Sequence, residues 1–242
     1  MALVTGGGSG IGASIVWHLA QQESRVAFVD VDDNASNDLV SEIERAGGVR
    51  PLYLSCDLRD IDDLKAAVER VESDLGPVRV LVNNAARDDR HDIDSVTPDY
   101  WDERMAVNLR HQFFATQAVR HGMADAGGGS IINMGSIVWM VGMGGMTAYA
   151  TAKSAVEGLT RSLADELGPE NIRVNSVAPG WIMTQRQIDL WLTPEGEEKL
   201  MQFQTLKRKL MPEEVARVVL FLAADDSSAC TNQTYVVDGG WL

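Results

Sequence analysis

A tyrosine and a lysine stand four residues apart in the stretch YATAK, at Tyr149 and Lys153, within a segment predicted to be helical. Residues at this spacing share one face of a helix. A phenol has a pKa of about 10 and is a poor base at neutral pH, but a neighbouring ammonium favours its ionised form. The pair therefore predicts a site for proton exchange, although the same spacing also occurs by chance on many amphipathic helices.

A second candidate for this chemistry is Ser136, which stands 13 residues before Tyr149 at the end of the apolar run GGSIINMGS. The run predicts a strand, and catalytic groups of open α/β sheets gather at the carboxyl ends of their strands. A hydroxyl there can orient a substrate oxygen and stabilise the charge that develops on it. We therefore expect Ser136 to act together with the tyrosine.

A glycine-rich stretch, TGGGSGIG, spans Thr5 to Gly12 directly after the first predicted strand. Glycine allows the backbone to approach a pyrophosphate closely, and the amides at the start of the following helix bind phosphate. Such a stretch alone is weak, since ordinary turns also use glycine. Because a strand precedes this one and a helix follows it, the sequence predicts a dinucleotide site.

An acidic residue, Asp30, ends the second predicted strand, about 20 residues beyond the glycines. A carboxylate at this place accepts hydrogen bonds from an adenosine ribose 2′-hydroxyl and repels a 2′-phosphate. No lysine or arginine follows in DVDDN to neutralise such a phosphate. The sequence therefore favours NAD over NADP, and a solvated strand end beside Asp32 and Asp33 is the alternative.

Short apolar runs alternate with helical segments along the whole chain. Strands are predicted at ALVTG, RVAFVD, RPLYLSCD, VRVLVNN, GGSIINMGS, IRVNSVAP and QTYVVDGG. Helices are predicted over residues 11–22, 35–46, 60–75, 98–124, 147–167 and 185–210, and from Pro212. This alternation predicts an α/β fold with one domain over residues 1–242, built on a parallel sheet of seven strands with helices on both faces. Residues 184–210, the lid segment, are expected to cover the substrate.

The composition excludes several classes of function. The net charge of −14 and the pI near 4.6 argue against nucleic acid or an anionic membrane as a partner. No segment approaches the roughly 18 consecutive apolar residues of a membrane span, and the N-terminus lacks the features of a secretion signal, so we expect a cytoplasmic protein. Cys56 and Cys230 have no metal or disulfide spacing, and His91 and His111 lack metal-ligand partners. We expect no catalytic metal.

Several motifs together resemble the short-chain dehydrogenase/reductase family. The glycine spacing Gly6-x-x-x-Gly10-x-Gly12 matches its fingerprint, and VNLRH, YATAK, PGWIMT and VVDGG follow in the family's order from Leu3 to Trp241. Ala86 and Asn232 stand where the family usually has glycine, and the chain starts abruptly at the first strand. The resemblance implies a Rossmann-type, doubly wound sheet and a catalytic tetrad completed by Asn108.

The resemblance also implies a role for each tetrad residue. Tyr149 would be the general base that takes a proton from the substrate hydroxyl, while the hydride passes to C4 of the nicotinamide. Lys153 would lower the tyrosine pKa and hold the nicotinamide ribose. Ser136 would orient the substrate oxygen, and Asn108 would support a proton relay through water.

The resemblance further implies an NAD site that extends along the carboxyl edge of the sheet. Asp57 corresponds to the residue that contacts adenine, and Asn83, Ala85 and Ala86 correspond to the family's N-N-A-G motif. The implied cofactor contacts are Gly6, Ser9, Gly10, Ile11, Gly12, Asp30, Asp57, Leu58, Asn84, Ala85, Tyr149, Lys153, Pro179, Gly180, Ile182 and Thr184.

Five ionisable residues, RDDRH, follow the fourth predicted strand at positions 87–91 and are called here the charged run. Carboxylates accept and guanidinium groups donate hydrogen bonds, which suits a substrate with several hydroxyls better than an apolar one. The run, with YWDERMAVNLRH, PGWIMTQRQ and WLTPEGEEKL, resembles the family's NAD-dependent aldose 1-dehydrogenases. The implied reaction is oxidation of a cyclic aldose at its anomeric C1 hydroxyl to a lactone.

The candidate sugar contacts come from the charged run, the tetrad and the lid segment. They are Asp88, Asp89, Arg90, Ser136, Trp139, Tyr149, Trp181 and Gln187, with Arg186 as a weaker candidate. The alternative for Asp89, Arg90 and His91 is salt bridging to WDER of the next helix. Trp139 can equally be a packing residue.

Two other functions remain open at this stage. A 3-oxoacyl or other ketone reductase would share the tetrad but would usually draw on NADP, and a non-catalytic NAD sensor would share only the fold. The family usually assembles as a homotetramer through its long helices, here residues 98–124 and 147–167, and through the C-terminal strand. The resemblance therefore implies a homotetramer.

Overall fold

The computed structural model describes all 242 residues. Seven strands form one sheet in the order β3-β2-β1-β4-β5-β6-β7, and every neighbouring pair is parallel. The predicted seven-stranded parallel sheet is confirmed. The strands are β1 Ala2–Thr5, β2 Val26–Asp30, β3 Leu52–Ser55, β4 Val80–Asn83, β5 Gly129–Met134, β6 Ile172–Pro179 and β7 Thr234–Val237.

The helices connect the strands and cover both faces of the sheet. They are α1 Gly10–Gln21, α2 Asp33–Arg45, α3 Ile61–Leu75, α4 Pro98–Met105, α5 His111–Asp125, α6 Thr147–Leu167, α7 Gln185–Leu190, α8 Pro194–Phe203 and α9 Pro212–Ala223. The helix predicted over residues 98–124 is divided by a π-helical turn, Ala106–Arg110. None of the helices combines the length and the apolar character that a bilayer crossing requires.

The lid segment, predicted to be helical and variable over residues 185–210, contains two short helices. The Thr184 side chain accepts a hydrogen bond from the Gln187 amide and begins α7, which ends at Leu190. The Thr193 side chain caps α8 in the same way, and Pro194 takes the first helical position. Because proline lacks an amide hydrogen and clashes with the preceding turn, one helix cannot run through it.

The core lies in two layers because successive strand residues point to opposite faces. Val4, Val82 and Ile132 pack on the side that carries α1 and α9. Leu3 and Leu81 pack on the opposite side, against α3, α5 and α6. Since β1 pairs with both β2 and β4, the strand order reverses between β1 and β4, and a crevice opens there at the carboxyl edge.

Candidate active site

The glycine turn lies at this crevice and approaches the end of β4 closely. Gly6 has a positive φ of +64°, and a Cβ there would lie 2.7 Å from the Ala85 Cα. A Cβ on Gly12 would lie 1.9 Å from the Gly6 carbonyl oxygen. Larger residues therefore cannot replace either glycine without displacing the backbone that lines the cleft.

The start of α1 is left open toward the cleft. Its N-cap, Ser9, makes no side-chain hydrogen bond to the first turn, and that turn contains no acidic residue. In contrast, side chains of Asp32, Asp60 and Thr97 cap α2, α3 and α4. Free amides at a helix N-terminus favour an anion. The turn and helix together therefore fit the diphosphate of a dinucleotide.

Asp30 lies at the end of β2 and lines the same cleft. One carboxylate oxygen accepts the Gly8 amide at 2.8 Å, and the other accepts the amides of Val31 at 2.8 Å and Asp32 at 3.1 Å. These bonds fix the carboxylate against the glycine turn. Asp30 is therefore a positioned acceptor rather than a freely solvated strand end.

Asp57 lines the cleft and is paired with Arg59, a residue that the sequence did not single out. Its carboxylate accepts from Arg59 Nε at 2.9 Å and from Nη2 at 2.6 Å. These hydrogen bonds lower the pKa of Asp57 below its usual value. Arg59 also lines the cleft, and only its position two residues after Asp57 could have indicated this pairing.

Lys153 is buried below the cleft and is held by the backbone of β5. Its Nζ donates to the Met134 carbonyl at 2.6 Å and lies 5.6 Å from the centre of the Tyr149 ring. Burial lowers the pKa of Lys153 to about 7, although the Asp88 carboxylate acts in the opposite direction. The helix therefore brings the tyrosine and the lysine together as the spacing predicts.

The phenol of Tyr149 has a pKa raised above its usual value, which corrects the expectation that Lys153 lowers it. Burial is the largest cause, the Asp88 carboxylate adds to it, and the Ser136 hydroxyl acts in the opposite direction. Lys153 is not among the causes because its ammonium is directed at Met134 and is itself disfavoured by burial. Ser136 also accepts a hydrogen bond from the Val138 amide at 3.2 Å.

Asn108 lies in the π-helical turn and does not reach the cleft. Its Oδ1 accepts the Arg87 amide at 2.7 Å, and its Nδ2 donates to the Arg87 carbonyl at 3.1 Å. The side chain is fully buried. Irregular helical turns of this kind are frequent at functional sites. In this arrangement Asn108 positions the start of the charged run.

A fully buried histidine, His111, follows this turn and was not predicted as part of the site. Its Nε2 lies 3.1 Å from the Ala85 carbonyl oxygen, so this nitrogen carries the proton. Burial lowers the pKa of His111 to about 4, with a smaller effect from the positive charge of Lys153. The neutral imidazole therefore links α5 to the strand end beside the glycine turn.

Asp88 is the residue of the charged run whose carboxylate lines the cleft. Its carboxylate accepts from Arg186 Nε at 3.2 Å and from Gln187 Nε2 at 2.6 Å. Gln187 in turn accepts from the Trp181 indole nitrogen at 2.9 Å. Trp181, Gln187 and Asp88 therefore form one polar wall, joined by hydrogen bonds, that spans the lid segment and the charged run.

Other residues of the charged run bind the protein itself. Asp89 lies outside the cleft and pairs with the buried Arg104 of the WDER stretch and, at 2.6 Å, with Arg186. This is the alternative pairing that the sequence left open. Arg90 lines the cleft, with its guanidinium 4.3 Å from the centre of the Trp191 ring.

Two further residues lie away from the substrate region. His91 accepts a hydrogen bond from the Ala148 amide at 3.4 Å, at the start of α6. Trp139 is 38% exposed and does not line the cleft, so the structure does not place it as a stacking surface for a substrate. His, Cys, Asp and Glu side chains form no group of three that could hold a metal ion.

The glycine turn, Asp30, Asp57, Asp88 and the Tyr149–Lys153 pair border one cleft of about 1150 Å³. Trp191 and Phe203 of the lid segment and Trp241 near the end of the chain add an aromatic section to its wall, and none of the three was predicted as a site residue. The predicted site residues that line it are Gly6, Ser9, Gly10, Ile11, Gly12, Asp30, Asp57, Leu58, Asn84, Ala85, Asp88, Arg90, Ser136, Tyr149, Lys153, Pro179, Gly180, Trp181, Ile182, Thr184 and Gln187.

Comparison with known proteins gives matches over nearly the whole chain. The family model adh_short_C2, described as Enoyl-(Acyl carrier protein) reductase, matches residues 6–242. The D-xylose 1-dehydrogenase of Caulobacter vibrioides is 50% identical over 240 residues, which cover 99% of this chain and 94% of that protein. The "Probable galactose dehydrogenase GalD" of Rhizobium meliloti is 49% identical over 238 residues, which cover 98% and 93%.

A solved structure with bound cofactor has the same fold. The 7 alpha-hydroxysteroid dehydrogenase complexed with NADH and 7-oxo glycochenodeoxycholic acid gives a TM-score of 0.94 at 33% identity, covering 99% of this chain and 92% of that chain. The similarity therefore includes the sheet, the glycine turn and the lid segment.

Proposed function

This chain belongs to the short-chain dehydrogenase/reductase family of oxidoreductases, which act on CH–OH groups with a nicotinamide cofactor, and we propose that it oxidises an aldose at the anomeric C1 hydroxyl to a lactone with NAD. The observation that carries the proposal is the polar wall of Trp181, Gln187 and Asp88 beside Tyr149. A site that pairs with hydroxyls favours substrates that carry them.

The wall has both kinds of hydrogen-bonding group that a sugar requires. Asp88 offers carboxylate oxygens as acceptors, and Arg186 and Gln187 offer N–H donors. An acyl chain at this place would bury the remaining acceptor positions of the Asp88 carboxylate without partners, which costs free energy. The names of the xylose and galactose dehydrogenases among the relatives agree with a sugar substrate.

The chain's own residues supply the proton chemistry. The phenolate form of Tyr149, which burial disfavours in the cofactor-free protein, takes the proton of the C1 hydroxyl. Ser136 donates a hydrogen bond to the same oxygen as negative charge develops there. Lys153 has a pKa lowered to about 7 by burial, so it can exchange a proton near neutral pH. The bound nicotinamide supplies the hydride acceptor and, in its oxidised form, a positive charge.

The preference for NAD is supported by the charges at the ribose end of the cleft. Asp30 presents a fixed carboxylate there, which repels a 2′-phosphate. Arg59 also lines this end of the cleft, and its Nε and Nη2 atoms donate hydrogen bonds to the Asp57 carboxylate. Neither group favours the additional phosphate of NADP.

The lid function and the assembly are part of the proposal. The lid segment closes over the sugar through Arg186 and Gln187. The protein assembles as a homotetramer through α5, α6 and the free edge of β7, which carry the exposed apolar side chains Phe113 and Val236. Static light scattering at micromolar concentration tests the assembly, and a monomer mass contradicts it.

The test of the activity is NADH formation at 340 nm with NAD or NADP and a panel of D-xylose, D-galactose, L-arabinose, D-glucose and simple secondary alcohols. We expect turnover of at least one aldose with NAD, loss of that turnover in Tyr149→Phe, and trapping of the lactone by hydroxylamine. The competing function is reduction of a 3-oxoacyl thioester or another ketone, or of the double bond of an enoyl thioester as the description of the matching family suggests. Activity confined to that reaction or to non-sugar alcohols contradicts the proposal.

A further inference from the structure

We propose that Asp88 recognises the C2 hydroxyl of the aldose, next to the carbon that is oxidised. This inference rests on the proposed function and assigns one contact of the sugar to one carboxylate. It predicts that 2-deoxy sugars are poor substrates specifically because of Asp88.

Asp88 lines the same cleft as Tyr149, Lys153 and Ser136. The carboxylate lines the cleft and retains 19% of its side-chain exposure. Its negative charge raises the pKa of both Tyr149 and Lys153, although burial is the larger cause for Tyr149 and opposes it for Lys153. Asp88 is thus the charged residue that affects the pKa values of both Tyr149 and Lys153.

The carboxylate is held in place and still has unused acceptor sites. Arg186 binds Oδ1 and Gln187 binds Oδ2, which leaves about two of the roughly four lone-pair positions of a carboxylate free. The Gln187 amide cannot rotate freely, because its oxygen accepts from Trp181. A fixed acceptor of this kind discriminates better than a mobile one.

The choice of C2 follows from the chemistry of a cyclic aldose. The C1 carbon has two ring neighbours, the ring oxygen and C2, and only C2 carries a hydroxyl. The hydroxyl nearest to the reacting C1 carbon is therefore the one on C2, and we assign it to Asp88, which lines the same cleft as Tyr149. That hydroxyl donates to Asp88 in a charge-assisted hydrogen bond.

The experiment combines a deletion in the sugar with a substitution in the protein. Values of kcat/KM with NAD are measured for D-galactose and 2-deoxy-D-galactose, and for D-xylose and 2-deoxy-D-xylose. D-Fucose, which lacks the C6 hydroxyl of D-galactose, is the sugar control. The proteins are the wild type, Asp88→Asn, Asp88→Ser and the control Asp94→Asn, whose carboxylate is exposed outside the cleft.

We expect the wild type and Asp94→Asn to lose about 10- to 100-fold in kcat/KM when the C2 hydroxyl is removed. In Asp88→Asn and Asp88→Ser, removal of the C2 hydroxyl should lower kcat/KM by less than about 3-fold. The ratio of kcat/KM for D-galactose to that for D-fucose should be the same in the wild type and in both Asp88 variants. Two Asp88 variants are included so that the comparison does not depend on the folding of one.

Three results overturn the inference. One is equal use of the 2-deoxy sugar by the wild type, and another is an unchanged 2-deoxy effect in both Asp88 variants. In these two cases the aldoses are still oxidised, so the proposed function stands. Absence of turnover with every aldose overturns the proposed function, and the inference falls with it.

Discussion

The Lys153 Nζ donates a 2.6 Å hydrogen bond to the Met134 carbonyl, so the buried lysine is tied to the end of β5 and not directly to the phenol one turn away. The lysine is 1% exposed. Burial removes the water that would stabilise an ammonium and lowers its pKa to about 7. Helix α6 therefore carries a group that changes its charge near neutral pH.

This burial predicts a specific pH dependence of stability. Below pH 7 the lysine is charged in both the folded and the unfolded chain. Between pH 7 and the unfolded value of 10.5 the unfolded chain binds more protons, so the contribution of Lys153 to the free energy of unfolding rises with pH. The free energy of unfolding of the wild type minus that of Lys153→Met should therefore increase as the pH rises, by at most about 1.4 kcal/mol per pH unit.

Guanidinium denaturation of the cofactor-free protein at pH 7, 8 and 9 measures this difference. Lys65→Met, on an exposed position of α3, is the matched control, and its difference from the wild type should stay constant. A constant difference for Lys153→Met as well would show that burial does not depress the lysine pKa.

Asp30 is expected to determine the choice between the two nicotinamide cofactors. Asp30→Ala removes an acceptor for the ribose 2′-hydroxyl and the repulsion of a 2′-phosphate. We predict a loss of about 10- to 100-fold in kcat/KM for NAD and an equal or higher kcat/KM for NADP. Asp30 also accepts a hydrogen bond from the Gly8 amide. If its role were purely structural, Asp30→Ala would lower kcat/KM equally for NAD and NADP. Asp38→Asn, on the exposed face of α2, is the control.

The sequence predicted the parts of the site that depend on local spacing. Tyr149 and Lys153 are four residues apart on one helix, and the glycine turn lies between a strand and a helix, so neighbouring residues define both. The parallel direction of the strands also followed, because parallel strands need helical crossovers.

Interactions over long sequence distances were not predictable in the same way. The pairing of Asp89 with Arg104 and of Asp88 with Gln187 joins segments 15 and 99 residues apart. The raised pKa of Tyr149 depends on burial and on Asp88, which the spacing to Lys153 does not reveal. The π-helical turn at Asn108 differs from an ordinary helix by one residue of hydrogen-bond register, which residue types do not encode.

The stability of the first turn of α6 is expected to depend on His91. The N-cap of α6, Met146, provides no side-chain hydrogen bond, and the Ala148 amide donates instead to His91 Nε2. Loss of a capping acceptor costs about 0.5–2 kcal/mol, so His91→Ala should lower the free energy of unfolding by that amount. His91→Asn retains an acceptor and should recover part of the loss. Denaturation curves measure both, and exposed His121→Ala serves as the reference substitution.

A role of His91 in positioning Tyr149 predicts more than lower stability. In His91→Ala, kcat should fall while the KM for NAD stays within about 2-fold, because α6 carries Tyr149, the proposed base, and the glycine turn is unchanged. If stability falls and kcat does not, His91 only stabilises the fold.

The lid segment is expected to be held closed by Arg186 in the absence of substrate. Arg186 binds Asp88 Oδ1 at 3.2 Å and Asp89 Oδ1 at 2.6 Å, and its side chain is 40% exposed. Exposed ion pairs contribute about 0–1 kcal/mol each and are screened by salt. In Arg186→Gln, amide hydrogen exchange over residues 185–190 should therefore become about 2- to 10-fold faster, and salt should produce a similar increase in the wild type.

Arg208→Gln is the matched control, because it breaks an exposed pair with Glu214 near the other end of the same segment. This variant should leave the exchange of residues 185–190 unchanged. The aldose that the enzyme accepts should slow exchange over these residues in the wild type and less so in Arg186→Gln. Equal protection of α7 in both proteins would mean that Gln187 and Trp181 hold the lid without Arg186, since their hydrogen bonds to each other and to Asp88 remain.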